Sequence, residues 1–484
     1  MKNPISFIGI AAAAAACMAA FLGSGWSALP LAALWLAGAF FLGWLIFRKL
    51  PPLSDRSNLL AAGILCVSLR VLSLVLFPVD TAPIHDFGTY FRLASFLAGD
   101  GPLPQTSANL FPHILFFSMA LSVPFRIFGS SILNYQLCGI VLSLLSMSLL
   151  YGILRGFSGR RTAFYGALLW ALSPVLILYA PLNCSEHLAL TLMLLYLYLL
   201  FRMERRSVRS LPQLFVDSAV LGLLLLVLEL VRPIAIILLI ATLLYLPIRH
   251  RKALCGHPLP AGGAVLTAVL ILYGGKMLAL QAADGILPQP LSTSSYTFTL
   301  LAGSNPESSG SWNEADSKLF LDTLHETYSN GYDYQSAYTK LNAVTRERYR
   351  KMSASGLCKL LLHKNEMLWG QQRVVVSSLV QYQDTARSPM LYAHPRILSL
   401  AGHFCDAGTA VLLLLMAVGC YREIRRKHAT PQLWNITATL GFVCLYCISE
   451  ASGRYTVVVL PLLYCIAAPV IADFFKREDS QKHE

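Results

Sequence analysis

Long apolar runs, separated by short polar connections, fill most of the chain. Many of these runs reach about 20 residues, which is the length that an α-helix needs to cross roughly 30 Å of hydrocarbon. A transmembrane β-barrel would instead show short alternating segments, so the uninterrupted runs exclude that class. The pattern predicts an all-α polytopic membrane protein with about 12–13 transmembrane helices. The predicted spans are 5–23, 27–47, 58–79, 111–128, 131–154, 162–180, 185–201, 213–230, 233–248, 261–281, 396–420, 432–449 and 454–475.

Composition and charge agree with a membrane location. The chain is 56% apolar and 13% charged, whereas soluble domains have about 25% charged residues, so a soluble enzyme is excluded. In a soluble protein the net charge of +13 could indicate nucleic-acid binding. Here Lys and Arg concentrate in the connections between apolar runs, where they mark the cytoplasmic side. We therefore expect membrane lipid, and no nucleic acid, as a partner.

The distribution of basic residues also predicts the topology. The basic clusters lie at 48–56, 155–161, 202–209, 249–252, 422–427 and 476–477. The positive-inside rule places them and both termini in the cytoplasm, and it leaves 80–110 and 282–395 as the large outer connections. The stretch 111–154 must then cross an odd number of times, so one of its two apolar segments is predicted to be partial. The short loops favour a bacterial inner (plasma) membrane.

Three regions follow from this topology. An N-terminal transmembrane module covers 1–281 and includes the external loop 80–110. An external region covers 282–395, where the polar, periodic sequence predicts a few short amphipathic helices. C-terminal transmembrane helices and a short cytoplasmic tail cover 396–484. Lys364 and Trp369 are predicted to form an interfacial anchor just before these last spans.

An acidic residue lies at the outer surface, shortly after the third apolar run. Asp86 and Tyr90 have i,i+4 spacing, so they share one face if the segment is helical. Neighbouring aromatic residues would let such a helix lie along the membrane interface. The simpler alternative is that Asp86 only caps or solvates the start of this helix.

This Asp86-x-x-x-Tyr90 pattern resembles the Asp-Glu-x-x-aromatic signature of the GT-C membrane glycosyltransferases, especially the protein O-mannosyltransferase and aminoarabinose-transferase branch. Phe87 stands where the signature usually has Glu. Other segments follow the order seen in that family, namely 109–113, 168–174 with Glu186 after it, and 450–461 with Glu450, Arg454 and Tyr455. The loop 303–316, with Asn305 and Trp312, resembles an external loop of some bacterial members.

The resemblance implies a fold and an activity. The fold would be a GT-C-like helical bundle with horizontal helices in the first external loop. The donor substrate would be a sugar on a polyprenyl phosphate, and the acceptor a glycan, a lipid or a protein on the outer face of the membrane. Asp86 would be the catalytic carboxylate, acting as general base.

The proposed chemistry needs a base for the acceptor hydroxyl and cations for the departing phosphate. Arg232 and Arg454 stand at the outer ends of apolar helices, and Arg can bind phosphate oxygens through two N–H donors at once. We predict that both bind the donor phosphate. The alternative is an ion pair within one helix, since Glu229 precedes Arg232 by three residues and Glu450 precedes Arg454 by four.

Glu186 is the second catalytic candidate, because the topology places it near the level of Asp86. It could instead stabilise the N-terminus of its own helix. Acceptor-binding or supporting roles are predicted for His85, Tyr90, His187, Glu450, Tyr455, Asn305 and Trp312.

No cofactor is predicted besides the donor substrate. His85, His113 and His187 could join the two carboxylates in a metal site, but their spacing matches no metal motif. We therefore expect no divalent metal.

Two other functions remain open at this stage. An oligosaccharide polymerase or ligase also uses lipid-linked donors, but its essential residues would lie in the large late loop. A flippase or transporter of lipid-linked sugars would perform no chemistry. The charged residues lie at the outer ends of the spans, whereas coupled transporters usually place them near the middle of the membrane, so the sequence favours the enzyme.

Overall fold

The computed structural model describes residues 4–24, 54–80, 86–206, 210–250, 258–294, 296–328, 333–384, 389–426 and 428–480, with a few isolated positions between these ranges. The described backbone is almost entirely helical, and it includes one isolated antiparallel bridge, between Val79 and Gln383. The helices are α1 (Pro4–Ser24), α2 (Asp55–Leu76), α3 (Asp86–Ala98), α4 (Pro112–Phe128), α5 (Ile132–Ser158), α6 (Arg160–Ala171), α7 (Pro174–Leu178), α8 (Ser185–Glu204), α9 (Leu211–Val231), α10 (Ala235–Arg249), α11 (Pro258–Ala283), α12 (Thr297–Gly303), α13 (Glu314–Tyr328), α14 (Tyr334–Lys351), α15 (Ala354–Gly370), α16 (Val374–Gln381), α17 (Pro389–Ala393), α18 (Pro395–Arg425), α19 (Pro431–Ile448), a 3₁₀ helix (Gly453–Val459) and α20 (Leu460–Ser480).

Eight of the described helical segments are long and apolar enough to cross a membrane. They are α2, α5, α8, α9, α11, α18, α19 and the continuous segment Gly453–Phe474. Shorter apolar stretches lie in α1, α4 and α10. The prediction of an all-α, multi-pass membrane protein is thus confirmed. The larger predicted number of spans includes these three shorter helices, the stretch 162–180, and 27–47, which lies outside the described residues.

The predicted span 162–180 is wrong as a single helix. It forms α6 and α7, which have 12 and 5 residues, and at 1.5 Å per residue neither alone crosses about 30 Å. The break comes before Pro174, where the Ser173 side chain accepts a hydrogen bond from the Leu176 N–H and caps α7. The buried guanidinium of Arg70 donates to the carbonyls of Trp170 and Ala171 at the end of α6.

The predicted break near residue 129 is present, and it identifies the shorter of the two segments in 111–154. Helix α4 has 17 residues and contains Pro124, whereas α5 has 27 residues. Gly129 between them has a φ of +84°, a conformation that glycine adopts without strain. The Ser131 side chain then caps α5 by accepting from the Asn134 N–H.

The region 282–395 contains the predicted short helices, α12 to α17. Helices α12, α13 and α14 pack around their own apolar cluster. The buried members of this cluster include Leu301, Phe320, Leu324, Tyr338 and Leu341. Helix α15 instead packs against α1 and the 3₁₀ helix. Helix α15 is therefore one of the elements that join this region to the transmembrane bundle.

The interfacial anchor predicted at Lys364 and Trp369 is wrong, because both side chains are buried. The Lys364 ammonium donates to the carbonyl oxygens of Gly303 at 3.0 Å and Cys447 at 2.8 Å. A buried ammonium needs such partners to offset its lost hydration, and no local sequence pattern indicates these distant carbonyls. Burial lowers the pKa of Lys364 to about 8. Lys364 thus links α12, α15 and the end of α19.

Candidate active site

Four charged side chains from four separate elements meet at one end of the bundle. Asp86 begins α3, Glu186 lies in the first turn of α8, Arg232 follows the last residue of α9, and Arg454 belongs to the 3₁₀ helix. We call these four residues the charged cluster. Its members are the two carboxylates and the two cations singled out from the sequence, and the structure brings all four together.

Arg454 bridges the two carboxylates of the charged cluster. Its Nε and Nη2 donate to the two carboxylate oxygens of Glu186, at 2.6 and 3.3 Å, and its Nη1 donates to Oδ2 of Asp86 at 2.7 Å. The guanidinium also lies over the Phe87 ring, 4.7 Å from its centroid. Two-point contact with a carboxylate fixes the orientation of a guanidinium as well as its position.

Arg232 binds the same buried carboxylate from another side. Its Nη1 lies 2.9 Å from Oε1 of Glu186 and donates to the Ser185 hydroxyl at 3.3 Å, and its guanidinium stands 5.7 Å from the Tyr455 ring centroid. Burial alone would lower the pKa of Arg232, but Glu186, with smaller contributions from Tyr446 and Tyr90, raises the pKa overall. Arg232 therefore stays positively charged.

The intrahelical ion pairs considered from the sequence are wrong. Glu229 binds Lys276 at 3.0 Å and accepts from the Tyr296 hydroxyl, and Glu450 accepts from the Tyr455 hydroxyl at 3.0 Å. Helical spacing does not apply at either place. Arg232 has extended backbone, with φ −154° and ψ 122°, and extended Ser452 separates α19 from the 3₁₀ helix.

The two carboxylates of the charged cluster differ in exposure. The Glu186 side chain is 1% exposed, whereas that of Asp86 is 57% exposed. Glu186 is therefore enclosed by its two arginines, and Asp86 meets Arg454 through Oδ2 while its side chain remains open to solvent. Of the two, Asp86 is the carboxylate that a substrate can reach.

The N-terminus of α3 is capped from a distant part of the sequence. The N–H groups of Phe87 and Gly88 donate to the hydroxyl of Tyr382, at 3.1 and 3.5 Å. Sequence reasoning did not identify Tyr382, because no local motif marks a tyrosine that caps a helix 294 residues earlier. The one available signal is that an aromatic residue lies shortly before the last group of spans.

The remaining predicted residues divide between the site and its surroundings. Tyr90 is buried on α3 against Phe117, with ring centroids 5.0 Å apart, and burial beside Asp86 raises its pKa. His187 is buried, with Nδ1 3.4 Å from the Cys184 sulfur. His85 lies outside the described residues.

Asn305 and Trp312 belong to a loop beside the site. The Asn305 amide donates to Asp316 at 2.9 Å, and Asp316 also pairs with Arg348, so Asn305 holds the loop together. The Trp312 side chain is exposed, and its backbone N–H donates to the Glu450 carboxylate. Glu450 thus connects this loop to the turn that precedes Arg454.

The position of Arg454 bears on whether Asp86 and Glu186 could share a metal ion. The guanidinium of Arg454 lies between Asp86 and Glu186, where a cation shared by the two carboxylates would otherwise sit. Within the ranges that the structure describes, no three His, Cys, Asp or Glu side chains are grouped as a metal site requires. Independence from divalent metals stays a prediction.

Removing Glu186 should destabilise the protein more than removing Arg454. Glu186→Gln leaves two guanidiniums with one carboxylate, and breaking a buried pair in this way costs about 3–5 kcal/mol. Arg454→Gln leaves Glu186 paired with Arg232. We expect the melting temperature in detergent to fall in the order wild type, Arg454→Gln, Glu186→Gln.

The matched control is Glu347→Gln, which removes an exposed carboxylate paired with Arg350 and Lys351 and should leave the melting temperature unchanged. A Glu186→Gln protein as stable as the wild type would show that Glu186 does not balance the two arginines.

Glu450 should make stability depend on pH. Burial raises its pKa to about 7, although the Tyr455 hydroxyl and the Trp312 N–H favour the ionised form. The unfolded chain loses this proton near pH 4.3, so between about pH 4.5 and 7 the folded state binds more protons and its stability falls as pH rises. We expect the melting temperature of Glu450→Gln, relative to wild type, to rise from pH 5 to pH 8. The exposed Glu326→Gln is the control, and a flat or falling difference for Glu450→Gln would contradict the assignment.

Comparison with known proteins gives one family match. Residues 112–273 match the model of the dolichyl-phosphate-mannose-protein mannosyltransferase family. The matched range includes Glu186 and Arg232 and lies between Asp86 and Arg454 in the sequence. A search of curated proteins returned no match.

Solved structures that align with most of this chain include ArnT and AglB. ArnT from Cupriavidus metallidurans bound to undecaprenyl phosphate is 11% identical, with a TM-score of 0.36, and the alignment covers 85% of this chain and 76% of ArnT. The archaeal oligosaccharyltransferase AglB from Archaeoglobus fulgidus, in complex with an inhibitory peptide and a dolichol-phosphate, is 12% identical, with a TM-score of 0.47 and coverage of 91% and 52%. The chain thus spans about half the length of AglB. The family match thus shows that residues 112–273, about a third of the chain, are similar to the mannosyltransferase family.

Proposed function

We propose that the chain transfers a sugar from a polyprenyl phosphate to an acceptor at the outer face of the membrane, with Asp86 as the general base. The observation that carries this proposal is the pairing in the charged cluster. A solvent-open carboxylate is held 2.7 Å from a guanidinium that is itself fixed by a buried carboxylate. A base and a phosphate-binding cation are the two groups that such a transfer requires.

The reaction assigns one role to each side of the cluster. Asp86 takes the proton of the acceptor hydroxyl as the acceptor oxygen bonds to the anomeric carbon of the sugar. The bond between that carbon and the phosphate oxygen breaks, and polyprenyl phosphate leaves with the electron pair. A guanidinium has five N–H donors, so Arg454 and Arg232 can hold Glu186 and still donate to the phosphate oxygens.

In this proposal Glu186 positions the two arginines. Its side chain is 1% exposed and both arginines bind it, so it meets substrate less readily than Asp86 does.

We further propose that the protein lies in a bacterial inner membrane, with both termini in the cytoplasm. The acceptor is a glycan, a lipid or a protein.

A ligase or polymerase would carry its essential residues in the region 282–395, and the contacts there support this alternative less than they support the transferase. Its conspicuous polar residues bind one another, since Asp316 accepts from Asn305, Asn313 and Arg348. Such a network stabilises the loop but leaves its carboxylate engaged. A flippase would use the charged cluster to bind a lipid phosphate without consuming the donor.

Asp86→Asn should abolish most donor consumption. Removal of a general base typically costs about 10²- to 10⁴-fold in rate. The measurement is release of polyprenyl phosphate from radiolabelled polyprenyl-phosphate sugars by purified protein in lipid nanodiscs, with donor binding measured in parallel. We expect Asp86→Asn to bind donor and to turn over at least 100-fold more slowly.

The control is Asp100→Asn, because Asp100 is an exposed carboxylate just beyond the other end of α3 that accepts from Ser130. It should turn over at the wild-type rate. Equal turnover by Asp86→Asn and the wild type would place the base elsewhere. Donor binding without consumption by the wild type, across all donors tried, would favour the flippase.

A further inference from the structure

The chain on the N-terminal side of Asp86 is held by a segment about 300 residues later. Val79 and Gln383 form an antiparallel bridge. The Asp80 N–H donates to the Tyr382 carbonyl at 2.7 Å, and the Asp384 N–H donates to the Pro78 carbonyl at 2.9 Å. The backbone of residues 382–384 therefore fixes the point from which the external loop departs.

The side chain of Tyr382 holds the chain on the other side of Asp86. Its hydroxyl accepts from the first-turn N–H groups of Phe87 and Gly88, which have no intrahelical acceptor. Its ring meets the Phe87 ring edge-on, with centroids 5.3 Å apart. Burial raises the pKa of Tyr382 to about 12, so the phenol stays neutral. One residue thus contacts the chain both before and after Asp86.

Helix α16, which leads to Tyr382, is anchored to the element that carries Arg454. The Thr456 hydroxyl donates to the Gln372 side chain at 3.0 Å, and a Cβ at Gly453 would lie 2.2 Å from the Gln371 carbonyl oxygen. Arg373, which immediately precedes α16, pairs with buried Asp406 of α18 at 3.1 Å. The start of α16 therefore rests on the 3₁₀ helix, and its end rests on α3.

We propose that Tyr382 is a positioning residue that sets Asp86 against Arg454, with α16 as the rigid connection between the two sides of the site. Asp86 approaches Arg454 from an exposed position, so its location depends on how α3 begins. Displacement of a catalytic group by about 1 Å can cost about 100-fold in rate. The proposal rests on the role of Asp86 in the proposed function.

The test is Tyr382→Phe in the full-length protein, because this change removes the hydroxyl and keeps both the ring and the backbone hydrogen bonds. We expect kcat to fall about 10- to 100-fold, while the KM for the donor stays within about twofold because Arg232 and Arg454 still bind the phosphate. Amide hydrogen exchange in peptides covering 86–98 should become at least tenfold faster in the first turn. The melting temperature should remain close to that of the wild type.

The matched control is Tyr338→Phe, which removes another buried hydroxyl, one that bonds Ser292 in the external region. It should change neither kcat nor exchange in α3. The double variant Asp86→Asn/Tyr382→Phe should be no slower than Asp86→Asn alone, because a residue that acts through Asp86 has no effect once that carboxylate is gone.

Three results would overturn the proposal. They are unchanged exchange in the first turn of α3, a multiplicative loss of rate in the double variant, and a general loss of melting temperature that accounts for the lost activity. If Asp86→Asn itself turns over normally, the proposed function fails. The exchange measurement then still decides whether Tyr382 orders the first turn of α3.

Discussion

The balance of charge around one buried carboxylate sets the arrangement of the whole site. An ionised carboxylate that is 1% exposed is tolerated only if cations offset its lost hydration, and Glu186 is paired with both Arg232 and Arg454. This requirement brings α8, the end of α9 and the 3₁₀ helix together. Arg454 also donates to Asp86. The pairing of buried Glu186 with Arg454 therefore also determines which cation lies beside the exposed carboxylate of Asp86.

The external region contributes by fixing backbone around this pairing. Lys364 ties α15 to carbonyls of α12 and α19, and Glu450 binds a loop N–H just before the 3₁₀ helix. Tyr382 acts in the same way on α3. In each case a side chain from the region 282–395, or one directed at it, satisfies backbone groups that would otherwise lack partners. The region 282–395 therefore helps to hold the elements of the site in place, independently of any contact with an acceptor.

Residue type and topology were enough to identify the members of the charged cluster but not their pairing. Asp86, Glu186 and the two arginines stand out because charges at the ends of apolar helices are costly. Arg454 and Asp86 are 368 residues apart, so their contact has no local signature, and helical spacing favoured partners that proved wrong. The length of the apolar run also led to a wrong prediction at 162–180, where one membrane span was expected. A short helix buried inside a bundle is as apolar as one that faces lipid.

The most direct test is a cryo-electron microscopy structure of the protein in nanodiscs with a polyprenyl phosphate bound. Our account requires the phosphate to lie within hydrogen-bond distance of Arg454 or Arg232, with the Asp86 carboxylate facing the adjacent acceptor space. Density for the phosphate at another part of the bundle, with Asp86 and Arg454 paired and remote from it, would contradict the account.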